Sequence, residues 1–250
     1  MSVSQLYILG STPALRIAGQ ILARDGCPVI DHPTPEVSHL LLDVPSFQAD
    51  GRLKGGRDLV NILEMLPESV TVIGGKLRHH GLKGYKAVDL LEDPFYTAKN
   101  ADITARCAIR VAAGQLRRSY DALPVLVIGW GRIGKCLCRH LSAIGADVIV
   151  YARKETDRAL AAALGYTAVS LPALSNTLGQ YRVIFNTAPE IVLTREMAGR
   201  CRSCQLIDLA STPGIESESA VRALGLPGSC VPERSGELIA ETVKRICLEV

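Results

Sequence analysis

The sequence predicts an α/β protein: a Rossmann-type doubly wound parallel sheet joined to a smaller, flavodoxin-like α/β domain at its N-terminal side. Three observations carry this expectation. Gly129-Trp130-Gly131-Arg132-Ile133-Gly134 follows directly on the apolar run Val125–Ile128. A second apolar run, about 20 residues further on, ends at Tyr151-Ala152-Arg153-Lys154. Beyond it, short apolar runs alternate with segments of helical spacing, the pattern of a parallel sheet covered by helices.

The elements are justified one by one. Leu6 to Leu9 reads as a strand and Pro13 to Arg24 as a helix closed by Gly26. Val29-Ile30 and Leu40-Leu41-Leu42 are short strands, Arg57 to Leu66 a helix, and Val70 to Ile73 and Ala87 to Leu90 further strands. Asn100 to Leu116 is a long helix between the domains. Val125 to Ile128 is a strand buried on both faces. Arg132 to Ile144 places Ile133, Leu137, Leu141 and Ile144 on one face and stops at Gly145. Val148 to Tyr151, Thr167 to Val169, Val183 to Phe185 and Gln205 to Leu209 are strands. The helices between them are Asp157 to Leu164, Pro172 to Leu178 and Thr194 to Arg200. The expected division is a small domain over 1–99, an interdomain helix over 100–118, a nucleotide-binding domain over 119–235, and a C-terminal helix over 236–250 placed to return to the first domain.

Composition narrows the function classes. The 250 residues are 48% hydrophobic and 21% charged, which suits a packed globule. Only 4% are aromatic, and the net charge is +3 with no basic run, so no nucleic-acid partner is expected. No apolar stretch reaches membrane-spanning length, and the N-terminus does not read as a signal peptide. The eight scattered cysteines are then reduced thiols in the cytoplasm.

The glycines have separate duties. Gly129 permits the tight turn, Gly131 lets the backbone approach a pyrophosphate, and Gly134 lets the helix pack on its strand. The amides and dipole of the helix N-terminus favour the anion. A free ribose 2′-hydroxyl calls for a carboxylate at the end of the second strand, whereas a 2′-phosphate calls for an arginine. Here Arg153 and Lys154 stand where the acid is missing, with Arg158 one turn further, so the expected cofactor is NADP. Arg153 also suits stacking on the adenine. Asn186-Thr187-Ala188-Pro189 and Asp208 to Gly214 follow the next two strands. They are expected near the nicotinamide ribose and the nicotinamide, Asp208 and Ala210 included.

Together with Asn100 to Ala112 and Gly225-Leu226-Pro227-Gly228, these segments resemble the dipicolinate synthase family, in its A-type chain. The resemblance covers about residues 100 to 245. It implies a sporulation enzyme that oxidises a cyclic dihydro- or hydroxytetrahydro-dipicolinate with a pyridine nucleotide, beside a flavoprotein-like B subunit. It also implies a small anionic substrate in an interdomain cleft, with Thr104, Arg106, Arg234 and Ser235 near it and Arg110 as a further carboxylate binder. Two stretches depart from the family. Pro232-Glu233-Arg234-Ser235-Gly236 stands where the family has Pro-Lys-Thr-Ala-Gly, and Ile103-Thr104-Ala105-Arg106 where it has Pro-Thr-Ala-Glu.

Other residues are weighed against plainer roles. The histidines (His32, His39, His79, His80 and His140) form no evident histidine–carboxylate pair, and His79-His80 fits a surface loop better than a general acid or base. Cys201-x-x-Cys204 has metal-knuckle spacing but no second pair, so no metal site is expected. Cys136 and Cys138 read as packing residues. The alternative to an oxidoreductase is a non-catalytic NADP(H)-binding sensor or partner subunit, or a related dehydrogenase with a different small-acid substrate. Association into a homo-oligomer stays open.

Overall fold

The computed structural model describes residues 5–116 and 119–248, without the side chains of His80, Cys247 and Leu248. Two parallel-sheet α/β units emerge. The first comprises residues 1–100 and 227–250, the second 101–226. The expected fold class is thereby observed.

In the first unit, β1 (Gln5–Leu9) leads to α1 (Pro13–Arg24), then β2 (Val29–Ile30), β3 (Val37–Leu42), the short α2 (Leu59–Leu63), β4 (Thr71–Gly74) and β5 (Lys86–Asp89). The strands pair in the order β2-β1-β3-β4-β5, all parallel, which is the flavodoxin-like arrangement. Helix α1 starts where Thr12 accepts the Leu15 amide and Pro13 takes the first turn. It stops before Gly26, whose φ is +90°. Helix α2 is shorter than the expected Arg57 to Leu66. Asp58 accepts the Val60 amide and so fixes its start, and a turn carries the chain on to Pro67. One face of the sheet packs Tyr7, Leu40, Leu42, Leu59 and Leu63 into a core.

The long helix α3 (Pro94–Ala113) begins six residues before the expected Asn100, because Asp93 caps its first turn through the Tyr96 amide. It carries the chain into the second unit. There follow β6 (Pro124–Ile128), α4 (Arg132–Ala143), β7 (Asp147–Tyr151), α5 (Glu155–Ala163) and β8 (Thr167–Val169). After these come α6 (Leu171–Thr177), β9 (Val183–Asn186), α7 (Arg195–Gly199), β10 (Gln205–Asp208) and β11 (Val221–Arg222). The order β11-β10-β9-β6-β7-β8, parallel throughout, is that of a complete dinucleotide-binding sheet, with β11 as a sixth strand beyond those expected from the sequence.

The chain then returns to the first unit through a single helical turn, α8 (Leu226–Cys230), and α9 (Pro232–Val243), which winds on as a π-turn over Lys244–Leu248. The Leu226-Pro227-Gly228 stretch is therefore helical. Helix α9 lies on α1. A Cβ on Gly236 would come within 2.7 Å of the Ala14 carbonyl, so only glycine allows this approach. Three ion pairs fasten the C-terminal segment to the same unit: Lys99–Glu241 at 2.6 Å, Lys244–Asp25 at 2.5 Å and Arg245–Asp93 at 2.6 Å. No helix among the described residues is long and apolar enough to cross a membrane.

Candidate functional site: the glycine turn and the loops beside it

At the carboxyl end of β6, Gly129 has φ +101°, and a Cβ there would sit 2.5 Å from Thr187 Oγ1. Both facts demand glycine. A Cβ on Gly134 would collide with the Gly129 carbonyl, so the third glycine sets how closely α4 approaches the turn. Gly131 differs: a Cβ there would meet nothing within 4 Å. That is the room a pyrophosphate needs. Gly131 is also the N-cap of α4 and supplies no side-chain acceptor, so the first-turn amides are left for an anion. Arg132 is exposed and Ile133 half-buried beside them. The turn is braced by Gly129 N–H donating to Tyr151 O and by Thr187, which donates to Ile128 O through both N–H and Oγ1.

Trp130, inside the turn, is buried with its ring edge-to-face on Tyr166 at 5.7 Å and Lys135 Nζ 5.7 Å above it. Its Nε1 has no partner among the described residues.

At the end of β7, Tyr151 and Ala152 are buried, while Arg153 and Lys154 are exposed. Burial, and next the charge of Glu190, hold the Tyr151 hydroxyl above its ordinary pKa. Arg153 Nη1 meets Glu190 Oε2 at 2.6 Å. Strand β6 lies between β7 and β9 in the sheet, so this ion pair links the loops on either side of the glycine turn. Arg158 folds back and donates to the Ala152 and Arg153 carbonyls, which makes it a brace for this strand end.

The loops after β9 and β10 are built on two buried side chains. Asn186 donates from Nδ2 to the Ala188 carbonyl and to Asp208 Oδ1, and accepts the Ala188 amide. Asp208, fully buried, also accepts the Ala210 and Gly214 amides and pairs with Arg222 at 2.6 Å. These contacts use the four acceptor positions of a carboxylate. The carboxylate expected to face the nicotinamide is thus spent on shaping the loop, and Ala210 is pinned by Arg222 through its carbonyl. Thr187 and Ala188 are half-buried and Pro189 is exposed.

The remaining candidates lie on other elements, α3 and α9. Thr104 is buried in α3. Arg106 pairs with Asp102 at 2.9 Å and Arg234 with Glu237 at 2.5 Å. Ser235 is buried with no partner for its Oγ among the described residues, and it belongs with Arg234 to the first unit. A histidine–carboxylate pair does exist: His140 Nε2 lies 2.5 Å from Asp102 Oδ1. Burial works against the Asp102 charge, but hydrogen bonds from His140 and Arg106 outweigh it and hold its pKa below the usual range. The pair stands eight residues into α4, about 12 Å from the glycine turn by helical rise.

His79 stacks on Phe47 with ring centroids 4.7 Å apart, and the side chain of His80 is outside the described residues. Cys201 and Cys204 border a groove of about 980 Å³ with Arg195, Arg202 and Glu216, away from the glycine turn. Burial raises both thiols, that of Cys204 to about 12, which leaves them protonated. No cluster of metal-ligating side chains occurs among the described residues.

The family model for shikimate and quinate 5-dehydrogenases matches residues 111–223. The A subunit of dipicolinate synthase from Bacillus subtilis (strain 168) is 27% identical over 174 residues, an alignment that covers 66% of this chain and 59% of that protein. The solved structure of the A subunit from the Bacillus halodurans dipicolinate synthase superposes with a TM-score of 0.87 at 21% identity and covers 98% of both chains. That from Bacillus subtilis gives 0.85 at 20% identity, over 100% of this chain and 97% of its own.

The fold is that of Rossmann-type dehydrogenases, and the second unit resembles a family whose cofactor is a nicotinamide dinucleotide. Among such proteins, the chain is similar to the dipicolinate synthase A subunit in sequence and in fold, and the sequence match spans about three fifths of the length of the Bacillus subtilis protein.

Proposed function

We propose that the chain is an NADP(H)-dependent oxidoreductase acting on a small cyclic carboxylate of the dihydro- or hydroxytetrahydro-dipicolinate kind. One observation carries the cofactor choice. Arg153 stands exposed at the end of β7, beside the open ground over Gly131, where an NAD-binding protein would place a carboxylate.

The residues present fit the dinucleotide. Gly129, Trp130, Gly131, Arg132, Ile133 and Gly134 would cradle the pyrophosphate, and Arg153 with Lys154 would take the 2′-phosphate. Asn186, Thr187, Ala188, Pro189 and Ala210 would border the nicotinamide half. Bound NADP accepts or donates a hydride at the nicotinamide ring. The chain's own contribution is positional. The Asn186–Asp208–Arg222 network holds two small-residue loops at fixed height, so that a flat ring can rest against backbone. Substrate identity rests on the dipicolinate synthase homologue, and so does partnership with a B subunit.

Binding of NADPH at least tenfold tighter than NADH, together with NADPH formation from NADP and a dipicolinate precursor, is the expected result. Energy transfer from Trp130, the only tryptophan, to the reduced nicotinamide provides the binding readout. Equal affinity for the two cofactors would remove the NADP assignment.

A specific observation favours a second reading, a binding subunit without turnover. Asp208 has no free acceptor, and the His140–Asp102 pair stands about 12 Å along α4 from the glycine turn. Tight NADPH binding with no turnover across the precursor panel, with or without a B subunit, selects that reading.

A further inference from the structure

The flavodoxin-like sheet of the first unit has its topological switch between β1 and β3. From β1 the chain winds one way to β2, and β3 lies on the other side. In open α/β sheets, ligands settle in the crevice at the carboxyl ends of the two strands that flank such a switch. Here the loops at that crevice are Gly10-Ser11-Thr12 after β1 and residues 43–58 after β3.

The second loop is highly organised. Phe47 and Leu53 form an antiparallel bridge, Gln48 N–H donates to Arg52 O, and Lys54 N–H donates to Ser46 O. Leu53 is buried in the core as an anchor. Gly55 and Gly56 both have positive φ, +95° and +81°, and the turn they make lies against Ser11. Ser46 ties this loop to the next one, because it exchanges hydrogen bonds with both backbone groups of Gly75. Lys76 follows Gly75 in the left-handed region at φ 56°, a conformation that costs a lysine energy and is here held by Asp89 accepting the Leu77 amide.

This arrangement brings four cations to one rim: Arg52, Lys54, Arg57 and Lys76. None takes part in an ion pair among the described residues. The carboxylates nearby are committed to backbone amides. Asp43 accepts from Ser11 and Thr12, Asp50 from Arg52, Asp58 from Val60, and Asp89 from Leu77 and Leu91. By contrast, Arg106 and Arg234, two of the three cations the sequence pointed to, are both neutralised by side-chain carboxylates.

We propose that this switch point is an anion site that anchors a carboxylate of the substrate, with Ser11, Lys54, the Gly55–Gly56 turn, Arg57 and Lys76 as its contacts. The assignment rests on the small-carboxylate reading above and gives that substrate a place in the first unit. Unpaired cations on a rigid loop suit a dicarboxylate: the backbone is already ordered, and charge-assisted hydrogen bonds offset the cost of ordering the side chains.

The test is calorimetric titration of the full chain with pyridine-2,6-dicarboxylate, without cofactor, for the wild type, the Lys54→Ala/Arg57→Ala double variant and Lys76→Gln. Binding by the wild type, weakened tenfold or more in the double variant and several-fold in Lys76→Gln, is the expected result, with NADPH affinity unchanged in all three. Lys54→Arg is expected to retain most of the affinity. Wild-type binding that the variants do not alter overturns the site, as does no binding at all. Inorganic phosphate competing as strongly as the dicarboxylate overturns the substrate assignment. Should the double variant fail to fold, Lys76→Gln, at an exposed position, decides alone. Because NADPH binding is read separately, its loss would remove the cofactor proposal and leave this one standing.

Discussion

At the scale of single residues, the glycine turn separates stability from binding. Gly129→Ala would force a side chain into a left-handed φ and against Thr187, and is expected to cost about 2 kcal/mol or more in chemical denaturation. Gly131→Ala meets open space and loses only the preference of an N-cap for glycine over alanine, so it should cost no more than about 1 kcal/mol. Its dinucleotide affinity should nevertheless collapse, because the methyl group takes the ground over the turn. Arg153 and Glu190 form the second residue-scale case. A charge-assisted contact to the 2′-phosphate is worth about 1.5–3 kcal/mol, so Arg153→Ala should weaken NADPH roughly 10- to 100-fold and leave NADH almost unaffected. Glu190 competes for the same guanidinium and repels the phosphate. For an exposed pair the effect is small, and Glu190→Gln should tighten NADPH by up to about fivefold. Unchanged NADPH affinity in Glu190→Gln would show that the ion pair does not resist the cofactor.

At the scale of elements, local chemistry is readable in the sequence and distant pairing is not. Helix α1 matches its expected bounds because Thr12, Pro13 and Gly26 all sit within a few residues of its ends. Strand β6 and helix α4 are equally plain, since the glycine pattern and the apolar face are continuous in the chain. Strand β11 is only Val221–Arg222 and owes its place to Arg222 reaching buried Asp208 on β10. No local pattern announces a partner fourteen positions away. The Asp102–His140 pair joins two helices across 38 positions and is hidden for the same reason. The rim cations of the first unit are hidden differently: helical spacing alone puts Arg57 in a helix that in fact begins at Leu59. The buried Asp208–Arg222 pair makes its own prediction. Arg222→Met leaves an uncompensated buried carboxylate and should cost about 3–5 kcal/mol, and adding Asp208→Asn should recover a good part of it. Helix α9 supplies a pH prediction. Burial works against the charge of Asp93, but hydrogen bonds, among them those from Tyr96 N–H and Arg245, hold its pKa low; Lys244 foremost lowers that of Asp25. Folded values below the unfolded one mean stability that is present above about pH 3.9 and lost as pH falls through the folded values. Amide exchange along α9 should therefore accelerate first below about pH 4, and Asp93→Asn should flatten that acid limb.

At the scale of the whole molecule, the chain leaves the first unit at Asn100 and re-enters it at Pro227. The first unit is discontinuous in sequence and the second is not. A chain ending at Leu226 lacks α9, and the apolar surface of α1 that Gly236 and its neighbours cover is then left to water. Such a truncation should lose the first unit in proteolysis and keep the second as a resistant fragment that still binds NADPH; equal digestion of both would contradict this. The same threading dictates a timetable. On the ribosome, the strands of the first unit emerge early but wait for α9 until the whole second unit has been translated. The nucleotide-binding half, contiguous and complete, can close behind them meanwhile. A nascent chain whose emerged part ends just before Pro232 would thus carry a mature dinucleotide fold and an unfinished neighbour, and it is the latter that chaperones would be called on to shelter.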